Sequence, residues 1–180
     1  MSRIRFASIR ALFESFPEAL ENIDAEPTDE PSIAFLNRLA AQGKPDHAVE
    51  VCAYLLPRRE AVWWGCTSAR TLLRDALRDD SATLSAAEAW VQEPTEENRQ
   101  SALNIGSKAA SNEPLTWLAW AAGWSSGNFP ETPFPYPPFM TSRAVRIALL
   151  IAMRRVNSDE RAKLLQACLA DGIRLAEAGP

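Results

Sequence analysis

Prolines decide where this chain can be helical. Inside a helix a proline removes a backbone hydrogen bond and clashes with the preceding turn. At the first helical position it needs no amide donor and presets φ. The chain has 13 prolines in 180 residues, and they fall between the apolar-periodic stretches or at their starts. Pro17, Pro27 and Pro31 punctuate the N-terminal part. Gly43 and Pro45 mark a break, and Pro57, Pro94 and Pro114 open new helical patterns.

Between these marks the apolar residues recur three and four apart, the period of a helix with one buried face. Ile9, Leu12, Phe13 and Phe16 define a first helix over 1–16. Ser32 is a candidate cap for a second, with Ile33, Leu36, Leu39 and Ala40 on one face. Val49, Ala53 and Leu56 mark a third over 47–56. A long helix is expected from Pro57 to about Arg78, followed by 81–92, about 94–110 and 115–124. A helix over 143–156 is capped by Thr141 or Ser142, and the last runs from Ser158 to about Ala178. Residues Ala144 to Met153 of the penultimate helix are apolar nearly all round, which places it at the centre. The stretch over 94–110 is only weakly apolar and belongs at an edge.

No alternating run suggests a strand. The expected fold is therefore all-α: a single-domain irregular bundle of about seven to eight helices with a proline-rich strap. The strap is Phe129–Phe139. Its prolines exclude a helix or a central strand, and its aromatic residues favour packing across the helices. Residues 1–31 are expected as an N-terminal amphipathic helix and acidic linker, ahead of a helical domain over 32–180. The acidic stretch holds Glu14, Glu18, Glu21, Asp24, Glu26, Asp29 and Glu30 with no base among them.

Charge and composition narrow the function. The net charge is −4, so no global basic field favours nucleic acid or anionic lipid. The longest apolar run, Ile147–Met153, falls far short of the ~20 residues of a membrane span. His47 is the only histidine, which excludes metal sites needing two. It falls in the first turn of its helix, where a structural or solvated imidazole is expected. Cys52, Cys66 and Cys168 are odd in number and widely spaced, so they are read as buried small hydrophobes of a cytoplasmic protein. No phosphate-cradling glycine motif and no nucleophile elbow is present. No catalytic residue, cofactor or metal is assigned.

One segment breaks the pattern. On a helix from Pro57, an inner face is drawn by Val62, Cys66, Ala69, Leu73 and Leu77 at 100° per residue. Arg59 and Arg70 then fall inward near Trp63, where each needs a carboxylate or several carbonyls. Trp64 falls outward beside Glu60 and Thr67. An outward tryptophan is either covered by another segment, here the strap, or anchors a partner. Arg58, Arg59, Trp63 and Trp64 are therefore the candidate protein-binding residues.

The same segment carries a resemblance. Leu56–Gly65 reads Leu-Pro-Arg-Arg-Glu-Ala-Val-Trp-Trp-Gly. With Pro114–Ala119, Trp124–Asn128, the proline-rich stretch and the helix after Thr141, it resembles an uncharacterised bacterial all-helical family often associated with type VI secretion gene clusters. The resemblance covers roughly residues 45 to 175. Where aliphatic residues usually precede the prolines, this chain has Asn128-Phe129-Pro130-Glu131. The resemblance implies an accessory role without catalysis: an adaptor or chaperone binding an effector or another secretion component. The alternative is an immunity protein neutralising a cognate toxin, which the acidic charge would suit against a basic nuclease. A third reading is an enzyme with an unrecognised site.

Overall fold

The computed structural model describes residues 4–23, 25–74, 81–125 and 136–178. Among them are nine α-helices and no strand. They are α1 (Ile9–Ser15), α2 (Ser32–Ala41), α3 (Pro45–Leu55), α4 (Arg58–Leu72) and α5 (Ala82–Gln92), then α6 (Glu96–Lys108), α7 (Pro114–Gly123), α8 (Met140–Arg155) and α9 (Ser158–Glu177). A 3-10 turn, Pro17–Glu21, follows α1. The all-α architecture is the one the periodicity predicts. Each of the nine helices falls on one of the apolar-periodic segments, and α1, with 7 residues, is shorter than the helix expected over 1–16.

Local chemistry fixes several boundaries. Ser8, Ser81 and Thr95 each accept a bond from the backbone N–H three residues on, satisfying an otherwise orphaned donor. The Ser8 cap starts α1 at Ile9 rather than at the chain start. Residues 4–7 run alongside other segments instead, with the Arg5 N–H donating to the Leu55 carbonyl. Two expected caps serve elsewhere. The Ser32 hydroxyl donates to the Phe6 carbonyl. Thr141 lies inside α8, and its hydroxyl donates to the carbonyl of Ala121. Helix α4 ends at Leu72, short of the expected Arg78; residues 75–80 lie outside the described residues.

The core is one cluster, and α4 lies in its middle, packed against α3, α5, α7, α8 and α9. Gly65 makes this closeness tolerable on the α7–α8 side. A Cβ there would meet Leu118 at 2.7 Å and Val145 at 3.1 Å. Helix α8 packs against α3, α4 and α7 and buries Ala144, Val145, Ala148, Leu149 and Ala152. Ile147, Leu150 and Ile151 are only half-buried. So α8 is central on one side and open on the other, which corrects the expectation of a helix enclosed all round.

The acidic stretch is anchored rather than free. Its carboxylates at Glu14, Glu21 and Glu26 are exposed, but Phe16, Ala19 and Ile23 are buried in the common core. Phe16 contacts the rings of Phe6 and Tyr54, and Asp29 and Glu30 pair with Arg10 and Arg38. Of the strap, 129–135 lie outside the described residues. Tyr136 and Phe139 are half-buried, and Tyr136 lies 6.2 Å from the Trp124 ring.

Two charged groups are buried. Arg99 on α6 is 1 % exposed; it holds Glu96 and donates to the Gly123 carbonyl at the end of α7. Glu50 on α3 is 2 % exposed and lies 2.9 Å from Arg146 of α8. Loss of water pushes the Glu50 carboxyl up to about 7, against the opposing pull of Arg146, Arg143 and Asn22. Among the described residues no helix is long and apolar enough to cross a membrane.

Candidate functional site

The two tryptophans of α4 sit opposite to the sequence-derived placement. Trp64 is 1 % exposed, and its indole N–H donates to the Cys168 carbonyl at 2.8 Å. Trp63 is 46 % exposed. The reason lies a hundred residues away, on α9. Gly172 has no side chain, and a Cβ there would meet Cys52 Sγ at 2.5 Å and Trp64 Nε1 at 2.9 Å. That bare backbone is the seat of the Trp64 ring. Helix α9 covers Trp64. With neighbours on five sides, α4 buries Ala61, Trp64, Gly65 and Ser68 as well as the stripe of Val62, Cys66 and Ala69.

The arginines are also displaced from their expected places. Arg59 and Arg70 are exposed rather than inward. Their partners are of the expected kinds. Arg70 pairs with Glu88 of α5 at 2.7 Å. Arg59 donates to the carbonyls of Val91 at 2.6 Å and Gln92 at 3.1 Å, the last two residues of α5. Those carbonyls have no intrahelical partner, and a cation there also suits the helix dipole. Arg59 therefore caps α5. Arg58 is half-buried, and burial lowers its pKa. The neighbouring guanidinium of Arg5 is pushed down by burial and then by Arg58.

Of the four predicted residues, the structure brings Arg59 and Trp63 together. They line a shallow cleft of about 400 Å³ between the start of α4 and the end of α5, with Glu60, Val91 and Gln92. Trp63 and Leu20 are the exposed large hydrophobics among the described residues. A tryptophan on a rigid helix, flanked by an arginine already fixed, has little side-chain entropy left to lose on binding. Trp64 belongs to the core and leaves the site. Arg58 does not line the cleft.

A second concavity was not anticipated from the sequence. It is a groove of about 470 Å³ between the end of α8 and the start of α9. Its floor includes Leu150, Met153 and Leu165, and Arg154 and Arg161 stand on its two walls. The signal was present in α8, whose apolar residues exceed what one buried face can use.

Burial raises the pKa of Cys52, Cys66 and Cys168, which keeps them as thiols rather than nucleophilic thiolates. His47 Nδ1 is buried and without a hydrogen-bond partner. Among the described residues no three His, Cys, Asp or Glu side chains gather as a metal site would need. Glu50 and Arg146 lie 2.9 Å apart, and burial raises the Glu50 carboxyl to about 7.

No curated protein and no solved structure matches the chain. The match that does exist runs over residues 35–176, from α2 to the end of α9, and so takes in both the Trp63 cleft and the α8–α9 groove; by it the chain belongs to a family of unknown function, DUF6931.

Proposed function

We propose that the protein is a non-catalytic accessory factor that acts by binding another protein. It would serve a bacterial secretion system of the type VI class as a cytoplasmic adaptor or chaperone for an effector or another component. The observation that carries the reading is Trp63: a large aromatic 46 % exposed on a helix whose other faces are locked in the core. Tryptophan and arginine are the residues most often found to dominate interface energetics. The resemblance of the Leu56–Gly65 motif supplies the secretion-system setting.

The immunity reading rests on charge. A net charge of −4, with Glu14, Glu21 and Glu26 exposed near the N-terminus, would suit a basic toxin. Capture from the native host with the wild-type chain and with Trp63→Ala distinguishes the outcomes. Loss of a partner at an unchanged melting temperature supports the Trp63 surface. A toxin among the partners selects the immunity role. Turnover of a small molecule, with no protein recovered, would overturn the accessory reading.

A further inference from the structure

Helices α8 and α9 follow each other directly, joined by Val156 and Asn157, yet they do not pack along their length. Both lean on α3 and α4 without packing on each other; α8 turns further to α7 and α9 to α2. The 470 Å³ groove lies between them, with Ala40 of α2, Gly43 and Asp46 of α3 lining its remaining side. Both walls present residues at helical spacing. On α8 these are Leu150, Met153 and Arg154; on α9 they are Arg161, Ala162 and Leu165. Ile147 and Ile151, seven and three residues before Arg154 on α8, are half-buried as well. An apolar channel between two helix walls has the shape that receives a third helix.

Charge says which kind. Although the chain is net acidic, the groove carries a guanidinium on each wall. Arg154 is exposed and forms no ion pair among the described residues. Arg161 is exposed and commits one nitrogen to the Val156 carbonyl, leaving other donors free. The carboxylate in the lining is Asp46, from the first turn of α3. Two cations flanking an apolar floor complement acids flanking an apolar stripe.

We propose that this groove receives an amphipathic helix of a partner protein, carrying Asp or Glu on either side of its apolar face. The proposal rests on the protein-binding reading above, but on a different surface from the Trp63 cleft. The occupant fills the space between α8 and α9 with residues at i, i+3, i+4 and i+7, and its acids meet Arg154 and Arg161.

The test is selection from a displayed library of helical peptides on the full chain, with anisotropy titration of synthetic representatives. The expected winners carry helically spaced Leu, Ile or Phe flanked by acids. Ala162→Trp, an exposed position, fills the groove and weakens binding by about tenfold or more, a hot-spot-sized effect. The double variant Arg154→Glu, Arg161→Glu weakens it similarly, and a peptide with lysines for acids binds that variant better than wild type. Trp63→Ala leaves binding unchanged, and circular dichroism confirms that each variant is folded. The proposal fails if no acidic helix-periodic sequences are enriched, or if their binding ignores Ala162→Trp. Peptides lost in Trp63→Ala alone would overturn the groove while supporting the Trp63 surface. A self-association that light scattering detects and Ala162→Trp abolishes would overturn it too, by making the occupant a second copy of the chain.

Discussion

The two halves of α9 behave differently. In the C-terminal half, Cys168 and Gly172 lie against α3 and α4 so closely that the Trp64 indole rests on bare backbone. The N-terminal half turns Arg161, Ala162 and Gln166 to an open groove. One helix thus closes a seam at one end and leaves a channel at the other. What separates them is side-chain size and charge. Small residues admit a neighbouring helix to contact distance, whereas arginines remain hydrated and hold a wall apart. Closed seams should therefore hold the fold, and open surfaces should be free to bind.

The largest expected effect is in the closed seam. Trp64→Ala removes a fully buried ring and its hydrogen bond to Cys168. A loss of ~3–5 kcal/mol is expected. At roughly 2–4 °C per kcal/mol for a chain of this size, calorimetry should show a fall of about 6–20 °C. A fall of a degree or less would mean that the seam is not what holds α9.

The α3–α8 seam is also closed, but around a charge, and this sharpens the comparison. The Glu50 carboxyl is raised in the folded protein to about 7 from an ordinary 4.5. A raised carboxyl binds its proton more tightly in the folded state than in the unfolded one. Its contribution is fully present below about 4.5 and is lost as pH rises through 7. Glu50→Gln should flatten that decline between pH 4.5 and 7, read from urea midpoints across the window. An unchanged slope would place the titration elsewhere.

The smallest effects belong to the exposed surface. Trp63→Ala should move stability by about 0.5 kcal/mol or less, as exposed positions do. Arg59→Ala should cost somewhat more, about 1 kcal/mol, because the Val91 and Gln92 carbonyls lose a charged donor. If Trp63→Ala proved as damaging as Trp64→Ala, the distinction between seam and surface would collapse.

Most of the fold was legible because helix signals are local. Ser81, Thr95, Pro45 and Pro114 mark their starts through chemistry spanning three or four residues. The orientation of α4 was not legible. Trp63 and Trp64 are adjacent, and on a helix buried on several sides the periodic stripe does not say which of two neighbours points out. Gly172 decided it, across a hundred residues of sequence. Arg59 and Arg70 were read as needing carbonyls or a carboxylate, and that chemistry holds although both are exposed. The groove was half-legible. The surplus of apolar residues in α8 was visible, but the parting of α8 from α9 is a tertiary fact. Buried Arg99 left no signal, since Glu96 three residues before it reads as an ordinary surface pair.

The comparison within α9 is tested most directly by thermal unfolding of Gly172→Val and Ala162→Trp, measured side by side. Both add bulk to the same helix. In the closed half, a Cβ alone already meets Cys52 at 2.5 Å, so Gly172→Val should cost ~1–3 kcal/mol through overpacking and lower the melting temperature by several degrees. In the open half, Ala162→Trp adds a far larger side chain and should leave the melting temperature unchanged or slightly raised. Equal losses at both positions would contradict the account.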